Sequence, residues 1–278
     1  MNLKHHIILK KDRRGLKMNK VERILNEYYN NYDEDSRLIK DKAHQIEFIT
    51  TTKYIEKYLE KGNKILEIGA GTGRYSIHYA KKGFEVYSIE LINKNLEILK
   101  SKITKDMKIN AIQGNAMDLN GIEDNTFDIT LVLGPLYHLY DELDIDKAMK
   151  EAMRVTKRNG KIFIAYLTDD SVVYSYGVRK GNLKRLKEIC DNNWNIPKLE
   201  EEIFATFKVD DFSKLVKKYQ VKELETIATD GFAPNMAEYI NKMTDEEFEI
   251  FLDYHLKSCN RKDLMGYSSH ILEIVEKI

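Results

Sequence analysis

The sequence predicts an α/β fold, one mostly parallel sheet with helices on both faces. Three observations carry that reading. Strand-type and helix-type runs alternate from residue 64 to 167, and strands alternating with helices are joined by right-handed crossovers over a parallel sheet. A glycine-rich turn, 69–73, follows the first strand directly. An acid, Glu90, stands at the tip of the next strand.

Each element follows in order. Residues 36–60 show helical spacing, with Ser36 as candidate N-cap and Gly62 just beyond the end. Residues 64–68 form a short strand of buried type. A helix over 74–82 is stopped by Gly83. A strand over 85–89, a helix over 93–103 and strands over 109–113 and 127–133 come next. A helix over 144–156 ends at Asn159-Gly160, and a fifth strand covers 161–167. Beyond it the pattern loosens into loop, helix and loop over 168–200. Residues 201–230 read as strand, helix (210–219) and strand (221–229). A long amphipathic helix is expected over 235–257 and a last strand over 269–276. No repeat or low-complexity linker divides the chain. Residues 18–278 therefore read as a single domain, with a cofactor-binding core over 36–167 and C-terminal strands with substrate-lid insertions over 168–278. Residues 1–20 hold seven Lys/Arg and one acid, Asp12; residues 1–17 are expected to be a disordered, dispensable leader.

Composition narrows the function. Lys plus Arg, at 45, equals Asp plus Glu, at 45. Nucleic acid is disfavoured as a partner, because duplex binding draws on a basic excess or stripe. The two cysteines, Cys190 and Cys259, form no CxxC pair, which fits a reducing cytoplasm. No run approaches the ~18 apolar residues of a membrane span.

The central motif is Glu67-Ile-Gly69-Ala70-Gly71-Thr72-Gly73-Arg74. Glycines suit a sharp turn that a ligand must approach closely, and a carboxylate at Glu90 can accept bonds from both hydroxyls of a ribose. The pair points to an adenosine cofactor. A dinucleotide fingerprint wants Gly or Ala where Arg74 stands. The E-x-G-x-G-x-G pattern instead resembles motif I of the class I S-adenosylmethionine methyltransferases. Gln113-Gly-Asn-Ala116 resembles the motif that brackets adenine. The stretch from Phe127 to His138 resembles motif IV, and Arg154-Val-Thr-Lys-Arg-Asn-Gly-Lys161 the segment after it. The resemblance covers residues 28–167 and includes a bacterial group with Gly-Pro-Leu-Tyr-His-Leu after motif IV.

That resemblance implies a Rossmann-like, mostly parallel seven-stranded sheet with a C-terminal helical lid. The implied cofactor is S-adenosyl-L-methionine, with S-adenosyl-L-homocysteine as product. It implies that Glu67, Gly69, Ala70, Gly71 and Gly73 form the cradle. Glu90 holds the ribose, Leu91 lies beside the adenine, and Asn115 and Ala116 meet its edge. Asn115 replaces the Asp of most relatives, and its amide oxygen can still accept from the adenine amino group. Leu133 and Gly134 border the methionine portion. Tyr32 and Arg37 match residues that reach the cofactor carboxylate, whereas Tyr28 and Tyr29 read as helix packing.

In open α/β sheets, chemistry sits at the carboxyl ends of the strands. Gly134-Pro-Leu-Tyr-His-Leu139 occupies that place. It lacks the Asn/Asp-Pro-Pro-aromatic sequence of amide and base methylation. No cysteine follows proline, as carbon-5 pyrimidine chemistry needs. No acid at 133–134 can hold a catechol-type metal, so none is expected. Direct displacement remains, in which the protein mainly positions the acceptor. His138 is the candidate base, or a hydrogen-bonding residue beside the cofactor, with Tyr137 next to it. Phe248, Phe251, Tyr254 and His255 fall on helical spacing, as core or as lid, and His270 follows. Tyr174, Tyr176, Trp194, Phe232 and Tyr254 suit an apolar pocket. The expected partner is a small-molecule methyl acceptor. RNA or protein methylation, and a non-catalytic cofactor-binding module, are the alternatives. The sequence leaves the methylated atom and the oligomeric state open.

Overall fold

The structure, a computed structural model, describes residues 20–199 and 202–278. The expected leader, residues 1–17, lies outside the described residues.

Two helices precede the sheet, α1 (Lys20–Asn31) and α2 (Lys42–Glu56). The alternating core follows: β1 (Lys64–Ile68), α3 (Arg74–Lys81), β2 (Glu85–Glu90), α4 (Asn93–Ser101), β3 (Ile109–Gln113), β4 (Phe127–Val132), α5 (Glu142–Val155) and β5 (Thr156–Thr168). The C-terminal part contributes α6 (Asp169–Val172), a π-helical turn (Val173–Arg179), α7 (Leu183–Ile189), β6 (Thr206–Phe207), α8 (Val209–Val216) and β7 (Val221–Ala228). It closes with α9 (Ala237–Ile240), α10 (Asp245–Ser258) and β8 (His270–Lys277).

The sheet runs in the order β3-β2-β1-β4-β5-β8-β7, with the two-residue β6 beside β5. The seven strands of the main path match the expected number, and β6 adds an eighth. All pairs are parallel except β8, which runs antiparallel to β5 and β7. The strand order reverses between β1 and β4, which opens a crevice above their carboxyl ends.

The sheet is buried on both faces. Leu66, Phe127 and Ile162 pack with Met149 and Ala152 of α5 and Phe212 of α8. Ile65, Val86 and Ile129 pack on the other side with Ile55 of α2 and Tyr79 of α3. Tyr166 and Phe212 stack with centroids 3.8 Å apart.

Several boundaries differ from expectation: β5 starts at Thr156 rather than 161, and β6 is only Thr206–Phe207. Three other differences have a plain local reason. Residues 34–40 are turn, because the side chain of Asp41, not Ser36, caps α2 by accepting from the His44 amide. Helix α5 starts at Glu142, where Asp141 accepts from Leu143 N. The long helix expected over 235–257 is broken. Thr244 and Glu247 cap each other reciprocally and start α10 afresh, a capping box that a continuous helix cannot form.

Candidate functional site

The turn after β1 is held open by its backbone. Gly69, with φ at +74°, has no room for a side chain, since a Cβ would meet Pro135 Cγ at 2.7 Å. Gly69 N and Ala70 N both donate to Ile89 O. Gly73 carries a positive φ of 83° and a Cβ there would collide with the Leu99 side chain, so it serves close packing of the turn against α4.

Glu90 braces the same turn. Its carboxylate accepts from Gly71 N at 2.7 Å and from Ile92 N at 2.8 Å. Burial raises its pKa to about 7, against the pull of those amides. Glu67 is buried deeper. It accepts from the Ser76 hydroxyl, which also pairs with Ser88, and burial lifts it to about 8. No cation pairs with Glu67 in these contacts, so it is largely protonated near neutral pH.

One cavity gathers most of the residues that the sequence singles out. Arg37, Glu67, Gly69, Ala70, Gly71, Glu90, Leu91, Asn115, Ala116, Leu133, Gly134, Tyr137 and His138 all line it. Tyr32 lines an adjoining cavity instead, and Gly73 stands behind the wall. Asn115 Oδ1 accepts from Met117 N at 3.0 Å, so the amide oxygen is partly engaged by its own loop.

His138 sits on the short 3₁₀ turn Pro135–His138 after β4. Its Nδ1 faces Ile203 O at 2.8 Å and its Nε2 faces the Tyr29 hydroxyl at 2.9 Å. A carbonyl can only accept, so Nδ1 carries the proton and Nε2 accepts from Tyr29. Burial lowers the ring's pKa to about 4, so it stays neutral. The Tyr137 hydroxyl donates to Leu133 O at 3.2 Å. Arg37 reaches both cavities, yet its guanidinium is held by Glu34 at 3.1 Å and by both oxygens of Glu47 at 2.8 and 3.3 Å.

The adjoining cavity is aromatic and charged. Tyr28, Tyr29, Tyr32, Tyr137 and Phe204 form walls, with Leu167 and Pro234 beside them. Glu47, Asp230 and His270 lie in one corner, with their carboxylate oxygens and imidazole nitrogen within 4.8 Å of one another. Arg37 already bridges to Glu47 and His270 to Asp230. Tyr29, Glu34, Arg37 and Tyr137 line both cavities.

Sequence reasoning missed Glu34, Glu47 and Asp230 and assigned Tyr29 to helix packing. The signal for Tyr29 was present: Leu25, Tyr29 and Tyr32 recur at helical spacing beside Glu22. Nothing local marks Asp230, which reaches His270 only because β7 and β8 pair antiparallel. The five aromatics expected in a pocket, Tyr174, Tyr176, Trp194, Phe232 and Tyr254, line neither cavity. Phe248, Leu252 and His255 turn the buried face of α10 inward, with His255 Nε2 against Thr50 Oγ1 at 3.0 Å.

Sheet order, glycine turn and the carboxylate at the tip of β2 define the class: a Rossmann-like domain of the S-adenosylmethionine-dependent methyltransferases, with that compound as cofactor. Residues 66–164 match the family described as "Methyltransferase domain", and the chain carries a domain of that family. It is 30% identical over 109 residues to YqeM of Bacillus subtilis (strain 168), covering 39% of this chain and 44% of that protein. It is 27% identical over 149 residues to a demethylmenaquinone methyltransferase of Clavibacter sepedonicus, covering 53% and 58%. The chain thus spans about half the length of the curated relatives it matches. The fold is similar to a crystal structure of a SAM-dependent methyltransferase from Methanosarcina mazei, at TM-score 0.51 and 19% identity over 81% of this chain and 97% of that one.

The residues present fit the cofactor. The Cβ position of Gly71 meets nothing nearer than Glu34 Cγ at 3.6 Å, leaving the turn open to a ligand. Glu90 stands one amide away from it. Leu91, Ile92, Ala116 and Met117 supply an apolar slot alongside.

Proposed function

We propose that this protein transfers a methyl group from S-adenosylmethionine to a small-molecule acceptor by direct displacement. The observation that carries this reading is the pair of adjoining cavities with a shared wall of Tyr29, Glu34, Arg37 and Tyr137. A small aromatic-lined recess beside a nucleoside cradle suits an enclosed acceptor better than a polymer. The name of the Clavibacter relative, which acts on demethylmenaquinone, supports a small acceptor in the same direction.

The bound cofactor supplies an electrophilic methyl group. The chain's own residues bind and orient. Gly69 to Gly71, Glu90 and Leu91 hold the nucleoside. Asn115 and Ala116 border its base, and Leu133 and Gly134 its amino-acid portion. Tyr32 belongs to the acceptor side. His138, neutral and bonded through both nitrogens, fixes the Tyr29 hydroxyl at the boundary between the cavities. It is a positioning residue in this reading, and Tyr137 fills the wall behind it.

The test uses methyl-tritiated S-adenosylmethionine in a bacterial lysate, fractionated into small molecules, RNA and protein. Label is expected in the small-molecule fraction. Label confined to RNA or protein overturns the acceptor class. Calorimetry with S-adenosylhomocysteine, expected to bind, and NAD, expected not to, checks the cofactor independently.

A further inference from the structure

We propose that His270, oriented by Asp230, is the proton acceptor for a phenol-type hydroxyl bound in the aromatic cavity. This rests on the methyltransferase reading and names a catalytic residue and acceptor chemistry for it.

The geometry is that of a histidine aimed by a fixed carboxylate. His270 Nδ1 lies 2.8 Å from Asp230 Oδ2. Asp230 is itself held on its other oxygen by the Ser268 hydroxyl and by the amides of Ser269 and His270. It is 4% exposed, so the pair is rigid. With Nδ1–H donating to the carboxylate, the neutral ring presents Nε2 as a lone pair. No described residue bonds to Nε2. The side chain keeps 21% of its surface exposed and lines the cavity. His138 differs on every count, since both its nitrogens are engaged.

Charge around the ring supports the same role. Glu47 on α2 lies 3.6 Å away, and Arg37 and Glu34 come from the turn before α2. Asp230 follows β7, and His44 stands across the cavity, paired to Asp41. Burial alone would lower the pKa of His270. Glu47 and Asp230 outweigh it, against the opposing Arg37, and hold the value above the ordinary one. Such a ring is a stronger base than a free imidazole.

The acceptor chemistry follows from what is left unpaired. Glu34 and Glu47 are taken by Arg37, and Asp230 by His270. No carboxylate stands free for an ammonium group, whereas Tyr28, Tyr32 and Phe204 suit a flat ring. In the step, the acceptor O–H bond breaks and an N–H bond forms at Nε2. The imidazolium is balanced by Asp230. The electron pair left on oxygen takes up the methyl group as the methyl–sulfur bond breaks, and its electrons stay on sulfur as a neutral thioether.

The test needs no turnover. 3-Nitrophenol, a weaker acid than its 4-isomer, is titrated into the protein saturated with S-adenosylhomocysteine, at a pH above that at which the His270 ring titrates by NMR and below the pKa of the free phenol, so that Nε2 is open and the free phenol is mostly protonated. The visible band of its phenolate reports proton transfer. Wild type is expected to bind it saturably and ionise it. His270→Gln is expected to lose the band, and Asp230→Asn to weaken it about tenfold, with S-adenosylhomocysteine affinity within twofold of wild type. Absent binding, an un-ionised bound phenol or an unchanged band in His270→Gln overturns the proposal. So does loss of the band in His44→Gln instead, or a requirement for an added divalent cation. If wild type fails to bind S-adenosylhomocysteine, it is the methyltransferase reading that fails. If His270→Gln does not fold, the histidine NMR titration of wild type decides. The His270 ring must titrate above free histidine and respond to bound nitrophenol.

Discussion

At the scale of single residues, two buried acids set the behaviour of the cofactor cradle. Glu90 accepts from Gly71 N and Ile92 N, so Glu90→Ala removes a brace of the turn. With Glu90 as the proposed ribose contact, calorimetry is expected to show affinity for S-adenosylmethionine weakened by about 1–3 kcal/mol, the size of charge-assisted bonds. Unchanged affinity would remove Glu90 from the site. Glu67 makes a pH prediction. Its folded-state pKa, about 8, lies above that of an unfolded Glu. Its contribution to stability is therefore complete below the unfolded value and is lost as pH rises through about 8. The melting temperature of the ligand-free protein is expected to fall between mildly acidic and mildly alkaline pH. Glu67→Gln should fall less over the same range, and an identical fall in the variant would contradict a buried protonated acid.

Elements were legible where local chemistry decides them. The strands 64–68 and 109–113 are found with both boundaries intact, because short β-branched and apolar runs bounded by turn residues admit few readings. The glycine turn and Glu90 come together because both lie at the ends of adjacent parallel strands. What the sequence could not show depends on contacts between distant segments. Asp230 and His270 meet through antiparallel pairing of β7 and β8, and Tyr29 faces the site only once α1 docks. The break at Thr244 was readable, since Thr244-Asp-Glu-Glu247 is a capping-box pattern, but the amphipathic run across it suggested one helix. Thr244→Ala removes the reciprocal cap and is expected to destabilise the protein by about 0.5–2 kcal/mol in denaturant melts. Because α10 lines neither cavity, S-adenosylhomocysteine affinity should hold.

For the whole molecule, charge balance and architecture point one way. The formal net charge is zero, and no described helix is long and apolar enough to cross a membrane. Filter binding with bulk RNA at low salt is expected to show no salt-sensitive retention, since that dependence arises from released counterions. Strong retention that falls steeply with salt would favour an RNA acceptor.

Helix α1 contributes Val21, Glu22, Leu25 and Tyr29 to the cofactor cavity, and Lys94 of α4 ties down its carboxyl end. The Lys94 ammonium donates to the carbonyls of Tyr29, Asn30 and Tyr32 at 3.1, 3.1 and 3.3 Å. A wall built from a single helix makes residence time a property of that helix. Release of spent nucleoside is expected to follow how often α1 lifts. Lys94→Ala removes a cation from a helix C-terminus, worth about 1 kcal/mol. Stopped-flow displacement should then show S-adenosylhomocysteine leaving about fivefold faster, and an unchanged off-rate would mean that the nucleoside exits by another route.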